Sequence, residues 1–386
     1  MPLYLALSTV ACIAALIVIR WAHAQGGVDL IVTPADFDVG GGRVSLLVPA
    51  RNEERNIRRC VESLLSQSYS NYEVIVVDDR STDSTQAILA AIAGADPRLR
   101  VIHGNELPPG WAGKPHALHQ ASEAATGEWL VFVDADTWLE PGALSATLAE
   151  ALETRADLFT TLHRQVMGSF WERAVLPLVL LGLSTAFPPR KVNDPALPHA
   201  VANGQYFMMR RAVYEAIGGH QAVKSSIVED RDIAALVKGR GYRLVVADGR
   251  DVISTRMYGS LAEMWEGWTK NIFLGLHDHP GLLLLGLFGA TLAVAAALFL
   301  PVWTLLGLGW YLRGRAWMAL AVLIESLIVW GYLLWSRAQA SRSFGISAWY
   351  ALTVPLGSAL FGAMMFASAW KVISGRGVTW KGRTYR

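Results

Sequence analysis

The chain has 386 residues, with 34 Lys and Arg, 32 Asp and Glu and a formal net charge of +2. Hydrophobic residues make up 53% and charged residues 17%, so the chain is more apolar and less charged than an average soluble protein. This composition excludes a disordered chain, and the small net charge argues against nucleic acid as a partner. Because Cys12 and Cys60 are the only cysteines, a disulfide scaffold is excluded too.

The first predicted element is a membrane anchor over residues 1–21. Leu3 to Ile19 is an uncharged apolar run that ends at Arg20 and is close to the length of a transmembrane helix. A cleaved signal peptide is the alternative, because residues 22–24 (Ala-His-Ala) look like a cleavage site. No basic segment precedes the run, so we expect an uncleaved anchor.

Residues 43–260 read as a separate α/β domain, in which short apolar strands alternate with amphipathic helices. The predicted strands are Val44–Val48, Glu73–Val77 and Trp129–Val133, and the predicted helices are Glu53–Ser66, Ser84–Ile92 and Ala117–Ala125. This alternation predicts a doubly wound, parallel sheet. Ligands of such sheets bind beyond the carboxyl ends of the strands, so the residues that follow each strand are the candidate site.

Carboxylates follow each of the three predicted strands. Glu53 and Glu54 come after the first, Asp78 and Asp79 after the second, and Asp134 and Asp136 after the third. Clustered carboxylates repel one another unless a positive group lies among them. Because Mg²⁺ and Mn²⁺ prefer oxygen ligands, and Mg²⁺ commonly combines one or two carboxylates with substrate phosphates, we expect a divalent metal here.

Three further segments of the domain carry candidate polar groups. Gly113-Lys114 brings a Lys to the start of a predicted helix, where phosphate is favoured, although a plain surface turn is the alternative. Gly204-Gln205 follows Asn203 and could contact a sugar or an acceptor, or simply form a turn. Glu229-Asp230 precedes an apolar helix, where Asp230 could act as a base or the pair could serve as an acidic helix cap.

An apolar stretch, Ala174–Phe187, lies inside the soluble part of the chain. It contains Pro177 and ends at Pro188-Pro189. At this length we expect an interfacial or buried helix rather than a membrane span.

Residues 261–280 are predicted to be an amphipathic interfacial segment, and residues 281–370 to hold transmembrane helices. The predicted spans lie in the apolar runs Leu282–Leu312, Trp317–Trp335 and Ile346–Trp370. Glu325 lies within the second run, and we expect it to pair with a neighbouring helix.

The tail, residues 371–386, is basic and therefore expected in the cytoplasm. Three single spans after a cytoplasmic domain would instead place it outside. Leu282–Leu312 is long enough for a re-entrant pair around Pro301, which would remove the conflict, and the sequence leaves both arrangements open.

Taken together, these motifs resemble the family 2 glycosyltransferases, which have the GT-A fold, between about Val44 and Asn271. The matching motifs, in the order of that family, are PARNEE at 49–54, VVDDRSTDST at 76–85, GK at 113–114, DAD at 134–136 and ED at 229–230. The resemblance implies an inverting transferase that acts on a nucleotide-diphospho-sugar, with a UDP-sugar favoured, and that uses a divalent metal.

The resemblance also implies roles for individual residues. Those expected to bind the nucleotide sugar are Pro49, Ala50, Glu53, Asp78, Asp79, Lys114 and Asp134. Asp136 would bind the metal, Asp230 would be the catalytic base, and Glu229 would accompany it. Gly204, Gln205, Trp268 and Lys270 are candidate contacts to the acceptor or the diphosphate.

One departure from the family concerns polymer synthesis. Processive polysaccharide synthases carry a Gln-x-x-Arg-Trp motif after the base, whereas residues 263–271 here read EMWEGWTKN. Trp268 and Lys270 could close over the diphosphate in its place. Alternatively, Met264, Trp265 and Trp268 form the apolar stripe of a membrane-surface helix.

Two segments carry a closer resemblance, RMYGSLAEMWEGWTKN at 256–271 and GVTWKGRTYR at 377–386. They are similar to membrane glycosyltransferases of bacterial carotenoid-acid and hopanoid biosynthesis, which implies a membrane-embedded isoprenoid or lipid acceptor. We therefore expect a multi-pass protein of the cell (inner) membrane with its catalytic domain facing the cytoplasm. The competing hypotheses are a processive polysaccharide synthase and a membrane-anchored binding protein with a degenerate transferase domain.

Overall fold

The computed structural model describes residues 2–25, 27–35, 39–274, 291, 302–314, 316–374, 378–380 and 383–385. Most of the predicted span Leu282–Leu312, including Pro301, and residues 275–280 of the predicted interfacial segment lie outside these residues.

The core of the molecule is a seven-stranded sheet with the strand order β3-β2-β1-β4-β8-β6-β9. A second, three-stranded sheet has the order β5-β10-β7, and a two-stranded hairpin is formed by β11 and β12. The strands are β1 Val44–Ala50, β2 Tyr72–Asp78, β3 Leu99–His103, β4 Trp129–Val133, β5 Thr137–Leu139, β6 Leu158–Leu162, β7 Arg164–Gln165, β8 Tyr206–Arg210, β9 Leu244–Asp248, β10 Ile253–Thr255, β11 Val378–Trp380 and β12 Arg383–Tyr385.

Helices cover both faces of the large sheet and form the apolar ends of the chain. They are α1 Pro2–Gln25, α2 Ile57–Leu65, α3 Thr85–Ala93, α4 Gly113–Ala124, α5 Ala143–Glu153, α6 Phe170–Ala186, α7 Pro189–Asn193, α8 Arg211–Ala216, α9 Gly219–Ala222, α10 Glu229–Gly239, α11 Leu261–Leu274, α12 Val302–Leu312, α13 Ala316–Ser343 and α14 Val354–Ile373, with a 3₁₀ helix, η1 Ala348–Thr353, before α14.

The central strands are apolar on both faces because both faces are covered. Leu46 and Val48 of β1 belong to the buried cluster on one side of the sheet, and Leu47 belongs to the cluster on the other side. Successive strand residues point to opposite faces, so a strand buried on both faces reads as a continuous apolar run. This explains why β1, β2 and β4 could be found from the sequence.

The predicted parallel α/β sheet is present, with two differences. Strand β8 runs antiparallel to both β4 and β6, while β1 pairs in parallel with β2 and β4. Strand β3 was not predicted. It pairs only with β2, and Arg100 and His103 are exposed, so it lacks the continuous apolar run of a central strand.

A third apolar cluster joins α6, α11 and α14 on the outside of the sheet domain. Its buried members are Met167, Ala174, Val175, Leu176, Val179, Tyr258, Met264, Trp268 and Met364. The predicted apolar stretch Ala174–Phe187 therefore lies almost entirely in α6, which packs against other helices and has Pro177 inside it.

Within the described residues, three helical segments are long and apolar enough to cross a membrane: Phe170–Asn193, Trp317–Ser343 and Ala348–Lys371. The predicted N-terminal anchor lies in α1, which packs against α13. Thr9 Oγ1 of α1 donates a hydrogen bond to Glu325 Oε1 of α13 at 2.5 Å. Glu325 thus has a partner on a neighbouring helix.

Candidate active site

Strands β1 and β2 end side by side, and hydrogen bonds join the segments that follow them. Asp79 N–H donates to Ala50 C=O at 2.7 Å, and Thr82 N–H donates to Asn52 Oδ1 at 2.8 Å. Asn52 and Arg80 have φ angles of 54° and 56°, in the left-handed region that non-glycine residues seldom adopt. Such backbone conformations persist where the surrounding structure enforces them, and they are found at functional sites.

The residues predicted to bind a nucleotide sugar surround this edge. Asp78 and Asp79 are buried, and Arg51 Nη1 donates to Asp79 C=O at 2.7 Å. Asp78 Oδ2 is buried and has no hydrogen-bond partner among the described residues. Pro49 is half-buried at the end of β1. Glu53 N–H donates to Thr85 Oγ1 at 2.8 Å.

Lys114, at the start of α4, connects the strand ends to the start of α10. Its Nζ lies 2.7 Å from Asp134 Oδ1 and 2.8 Å from Glu229 Oε1. Burial by itself would lower the pKa of Lys114, but the charges of Asp134 and Glu229 outweigh it and the pKa lies well above the usual value. Lys114 is therefore a permanent cation among carboxylates.

Asp230 is held by two backbone donors. Gly204 N–H donates to Asp230 Oδ2 at 2.7 Å, and Arg231 N–H donates to Oδ1 at 2.8 Å. Burial, followed by the negative charge of Glu229, raises the pKa of Asp230 to about 6. A carboxylate with this pKa can accept a proton near neutral pH, as a general base must.

Lys270 of α11 lies within the electrostatic reach of the same group. Burial lowers its pKa to about 8, the charge of Glu229 opposes this decrease, and the ammonium of Lys114 adds to it. The structure thus brings a second cation to the edge on which Asp134, Glu229 and Asp230 lie, and this group of five side chains is called the polar edge below.

A chain of hydrogen bonds connects a buried histidine, His163, to Asp136. His163 Nε2 lies 2.6 Å from Gln205 Oε1, and Gln205 Nε2 donates to Thr255 Oγ1 at 3.2 Å. The Thr255 hydroxyl lies 3.2 Å from Asp136 C=O and 3.4 Å from Asp136 Oδ1. Burial lowers the pKa of His163 to about 4, so its ring is neutral at physiological pH.

The donor set fits a divalent metal shared with a substrate. The described residues contain no group of three or more His, Cys, Asp or Glu side chains that could hold a metal ion by themselves. Asp136 and Asp134 lie close enough to Cys60 for both charges to raise the pKa of its thiol, although burial is the larger cause. One or two carboxylates completed by phosphate oxygens and water is a usual Mg²⁺ arrangement.

Two of the predicted contact residues have side chains in buried surroundings beside this edge, although the Gln205 C=O accepts from Asp134 N–H at 3.2 Å. Trp268 is 5% exposed and packs in the apolar cluster of α6, α11 and α14, with its ring 6.3 Å from that of Tyr258. Gln205 is buried in the hydrogen-bond chain to Asp136. On α11, therefore, Met264 and Trp268 belong to the apolar cluster while Lys270 belongs to the polar edge.

Sequence reasoning missed His163, Gln165 and Thr255, which surround Gln205. Gln165 Nε2 donates to Gln205 Oε1 at 3.3 Å. These residues lie at or next to β7 and β10, which have only two and three residues. The sequence does show polar residues clustered in these segments. The strands are too short for an alternating pattern of polar and apolar residues to reveal them.

Residues 45–218 match the sequence model of the family described as Glycosyl transferase family 2. The chain is also 27% identical over 237 residues to 4,4'-diaponeurosporenoate glycosyltransferase from Staphylococcus aureus strain MRSA252. That alignment covers 60% of this chain and 61% of the relative, so the chain spans about three fifths of the length of the curated relative it matches.

A solved structure shares the fold of the whole chain. It is that of the mannosyltransferase PcManGT from Pyrobaculum calidifontis in complex with GDP-Man and Mn²⁺. The TM-score is 0.55 at 18% sequence identity, over 96% of this chain and 99% of the other. The fold is the mixed α/β fold of GT-A glycosyltransferases, and the family match lies within it, over residues 45–218.

Proposed function

We propose that this chain, which contains a glycosyl transferase family 2 domain, is an inverting glycosyltransferase. It moves one sugar from a nucleotide-diphospho-sugar, our first choice being a UDP-sugar, to an isoprenoid or lipid acceptor in the membrane. The observation that carries this proposal is the group around Lys114, in which Asp134, Glu229 and Asp230 meet two cations at the carboxyl edge of the sheet.

The polar edge supplies the groups that a single displacement requires. Asp230 takes the proton of an acceptor hydroxyl while that oxygen attacks the anomeric carbon and the bond to the diphosphate breaks. Lys114 and Lys270 balance the negative charge of the leaving nucleoside diphosphate. The two backbone N–H groups that bind Asp230 keep its carboxylate in one orientation.

Asp136 would hold a divalent cation, with Thr255 fixing its carboxylate through the hydroxyl contact at 3.4 Å. When bound, such a cation acts as a Lewis acid that neutralises charge on the diphosphate. Two observations support this assignment: the charges of Asp134 and Asp136 both act on the Cys60 thiol, and the PcManGT structure is a complex with GDP-Man and Mn²⁺. We expect Asp136→Ala to lose Mn²⁺ binding in an electron paramagnetic resonance titration. Wild-type affinity in that variant would contradict it.

The acceptor is proposed to be apolar because the polar edge adjoins apolar helices. Lys270, at the edge, and Trp268, in the apolar cluster, lie two residues apart on α11. The S. aureus relative is named for 4,4'-diaponeurosporenoate, which supports a carotenoid-acid or hopanoid-like acceptor as the finer proposal.

The experiment that tests this function incubates membranes containing the full chain with labelled UDP- and GDP-sugars and then extracts the lipids. Label in the organic phase, absent from membranes that lack the chain, is the expected result. Label in an insoluble polymer would favour a processive synthase, and no transfer from any donor would favour a binding protein. If the acceptor reacts through a carboxylate, Asp230→Asn will retain transfer, because no proton needs to be removed.

A further inference from the structure

Four helical segments form one layer against the catalytic domain: α6, α11, η1 and α14, called here the helical platform. Side chains of all three α-helices share the apolar cluster around Val175, Trp268 and Met364. Two of the three segments that have the length and composition of a membrane span, Phe170–Asn193 and Ala348–Lys371, lie in this layer. Where the ends of these segments lie decides whether they can cross a bilayer.

Both ends of the segment Phe170–Asn193 are bound to the catalytic domain. Near its start, Glu172 is fully buried and its carboxylate lies 3.3 Å from Arg256, whose own N–H donates to Asp136 C=O. At its end, the Asn193 amide exchanges two hydrogen bonds with the backbone of Val246 in β9, at 2.9 and 2.7 Å.

The segment Ala348–Lys371 contacts the other platform helices at both ends, each time beside a residue that lies at the catalytic domain. In η1, the Tyr350 ring lies 5.8 Å from the ring of Phe170 and 5.8 Å from the Arg173 guanidinium, at the start of α6. Near the end of α14, Ser368 Oγ donates to Thr269 C=O at 2.6 Å, next to Lys270 of the polar edge.

A membrane span has its two ends on opposite sides of a hydrocarbon layer about 30 Å thick. Helices whose two ends both lie at one folded domain do not meet that condition. We propose that the helical platform does not cross the bilayer but rests on the leaflet that faces the catalytic domain. This inference concerns membrane architecture and does not depend on which reaction the domain catalyses.

The outer face of α14 has the chemistry that a leaflet requires. Its exposed side chains, with Leu352 of η1, recur at helical spacing and are apolar: Leu352, Leu356, Ala363, Phe366 and Trp370. The opposite face is buried against α6 and α11, where Gly357 lies so close to Ala174 C=O that an added Cβ would be 2.4 Å from it. Trp349 and Trp370, at the two ends, are 79% and 63% exposed, and tryptophan favours the headgroup level of a membrane.

The partner is a lipid surface because the platform adjoins α13, which has the length and composition to span the bilayer. Gly307 of α12 packs against Leu323 of α13, and the turn between the two helices contains Arg313 and Gly314. At its other end α13 meets the platform, where Arg337 Nη2 donates to Arg173 C=O at 2.6 Å. A helix of 28 residues is about 42 Å long, so the turn at Arg313 lies across the bilayer from the catalytic domain.

This arrangement predicts on which side the tail lies. The chain crosses the bilayer between Leu274 and Arg313 and returns along α13, and α14 then runs along the leaflet, so Ser374 stays on the side of the catalytic domain. The basic tail would therefore share the compartment of the domain, in agreement with the tendency of Lys and Arg to remain in the cytoplasm.

Cysteine labelling of the full chain tests this proposal. In a background in which Cys12 and Cys60 are replaced by Ser, single cysteines are introduced as Ser70→Cys, Arg313→Cys and Ser374→Cys, all at exposed positions. A membrane-impermeant maleimide is applied to right-side-out and to inside-out vesicles. We expect the variants at 70 and 374 to be labelled in one vesicle type and the variant at 313 in the other.

Labelling of the variant at 374 together with that at 313 would show that α14 crosses the membrane and would overturn the proposal. Labelling of all three in one vesicle type would overturn it too, because the α12–α13 hairpin would then not cross. If a cysteine variant fails to fold, an epitope tag after Arg386 in the otherwise native chain, probed with antibody in the same vesicles, gives the same decision.

Discussion

At the scale of single residues, Gly204 decides how closely the groups of the polar edge can approach one another. Its N–H binds Asp230, and a Cβ added at Gly204 would lie 2.6 Å from Asp230 Oδ2 and 3.1 Å from Lys114 Nζ. Approach closer than 3.0 Å forces atoms to move, and the atoms concerned belong to the groups proposed to act as base and as diphosphate ligand. The absent side chain is thus a requirement of the site.

We expect Gly204→Ala to lower kcat/KM about 100-fold, because a displacement of about 1 Å at reacting groups has effects of that size. The measurement is initial-rate kinetics beside a thermal unfolding curve. Gly239→Ala is the matched control, since Gly239 has no neighbour within 4 Å of an added Cβ and should behave as wild type. Wild-type turnover in Gly204→Ala would contradict the proposed positions of Asp230 and Lys114.

The shifted pKa values of Asp230 and Lys270 predict a bell-shaped dependence of kcat/KM on pH. Asp230 must be ionised to accept a proton, so its raised pKa removes activity as the pH falls through about 6. Lys270 must be protonated to bind a diphosphate, so its lowered pKa removes activity as the pH rises through about 8.

Measured pH–rate profiles of the wild type and of Lys270→Gln check this expectation. The variant should lose the alkaline limb near pH 8 and keep the acid limb. An unchanged alkaline limb in Lys270→Gln would exclude Lys270 as its source.

At the scale of the elements, α6 shows how a proline inside a helix is tolerated. Pro177 has no N–H, so it cannot bind the carbonyl of Arg173 four residues earlier. Arg337 of α13 donates to that carbonyl instead, at 2.6 Å, and also to Ser341 Oγ at 2.6 Å. Arg337 is 4% exposed, so it joins α13 to α6 from a buried position.

A double-mutant cycle measures this interaction. In the Pro177→Ala background the helix regains the N–H that Arg173 C=O lacks. Arg337→Met should therefore destabilise the wild type more than it destabilises the Pro177→Ala variant. The difference between the two losses in free energy of unfolding should be about 1–3 kcal/mol, the range for leaving one buried polar group unsatisfied. Unfolding in detergent provides the measurement. Arg342→Met, an exposed position on the same helix, should show no such coupling to Pro177.

At the scale of the whole molecule, the catalytic domain and the apolar helices form one structure rather than a domain on a tether. The cluster that buries Trp268 is completed by Leu360, Phe361 and Met364 of α14, more than 90 residues later in the chain. The element that carries Lys270 to the polar edge is therefore packed against α14 and α6.

Two truncations separate the contribution of α14 from that of the residues that follow it. A chain that ends at Ser343 lacks η1 and α14, so it exposes Trp268, Met264 and Val175, and we expect it to aggregate in detergent. A chain that ends at Ser374 lacks only residues after α14 and should remain monodisperse. Size-exclusion chromatography compares them, and equal behaviour of the two chains would show that α14 is dispensable for the cluster.

Much of the domain could be predicted from the sequence because its signals are local. Strands β1, β2 and β4 are continuous apolar runs, and the rule that ligands bind at carboxyl ends directed attention to Asp79, Asp134 and Asp136. The order of the motifs then indicated the family. Strand β3 escaped notice because it is exposed and pairs only with β2.

Other features depend on contacts between residues that are distant in the chain. The chain from His163 through Gln205 and Thr255 to Asp136 involves partners up to 119 residues apart, and no local pattern marks it. The reversed direction of β8 is likewise a property of how the strands assemble. Trp268 and Lys270 lie two positions apart and were considered together, yet they belong to different environments because a helix turns between them.

The sequence alone determined the α/β domain, the carboxylates at its edge and the apolar ends of the chain, since strand period, strand ends and hydropathy are read from neighbouring residues. Tertiary structure decided which cations meet those carboxylates, because Lys114, Glu229 and Lys270 come together only when α4, α10 and α11 have packed. It also decided the orientation of the apolar segments relative to the domain. By hydropathy alone, α6, α13 and α14 are all candidate membrane spans. Only the contacts at both ends of a segment distinguish a helix that lies along the domain from one that extends away from it.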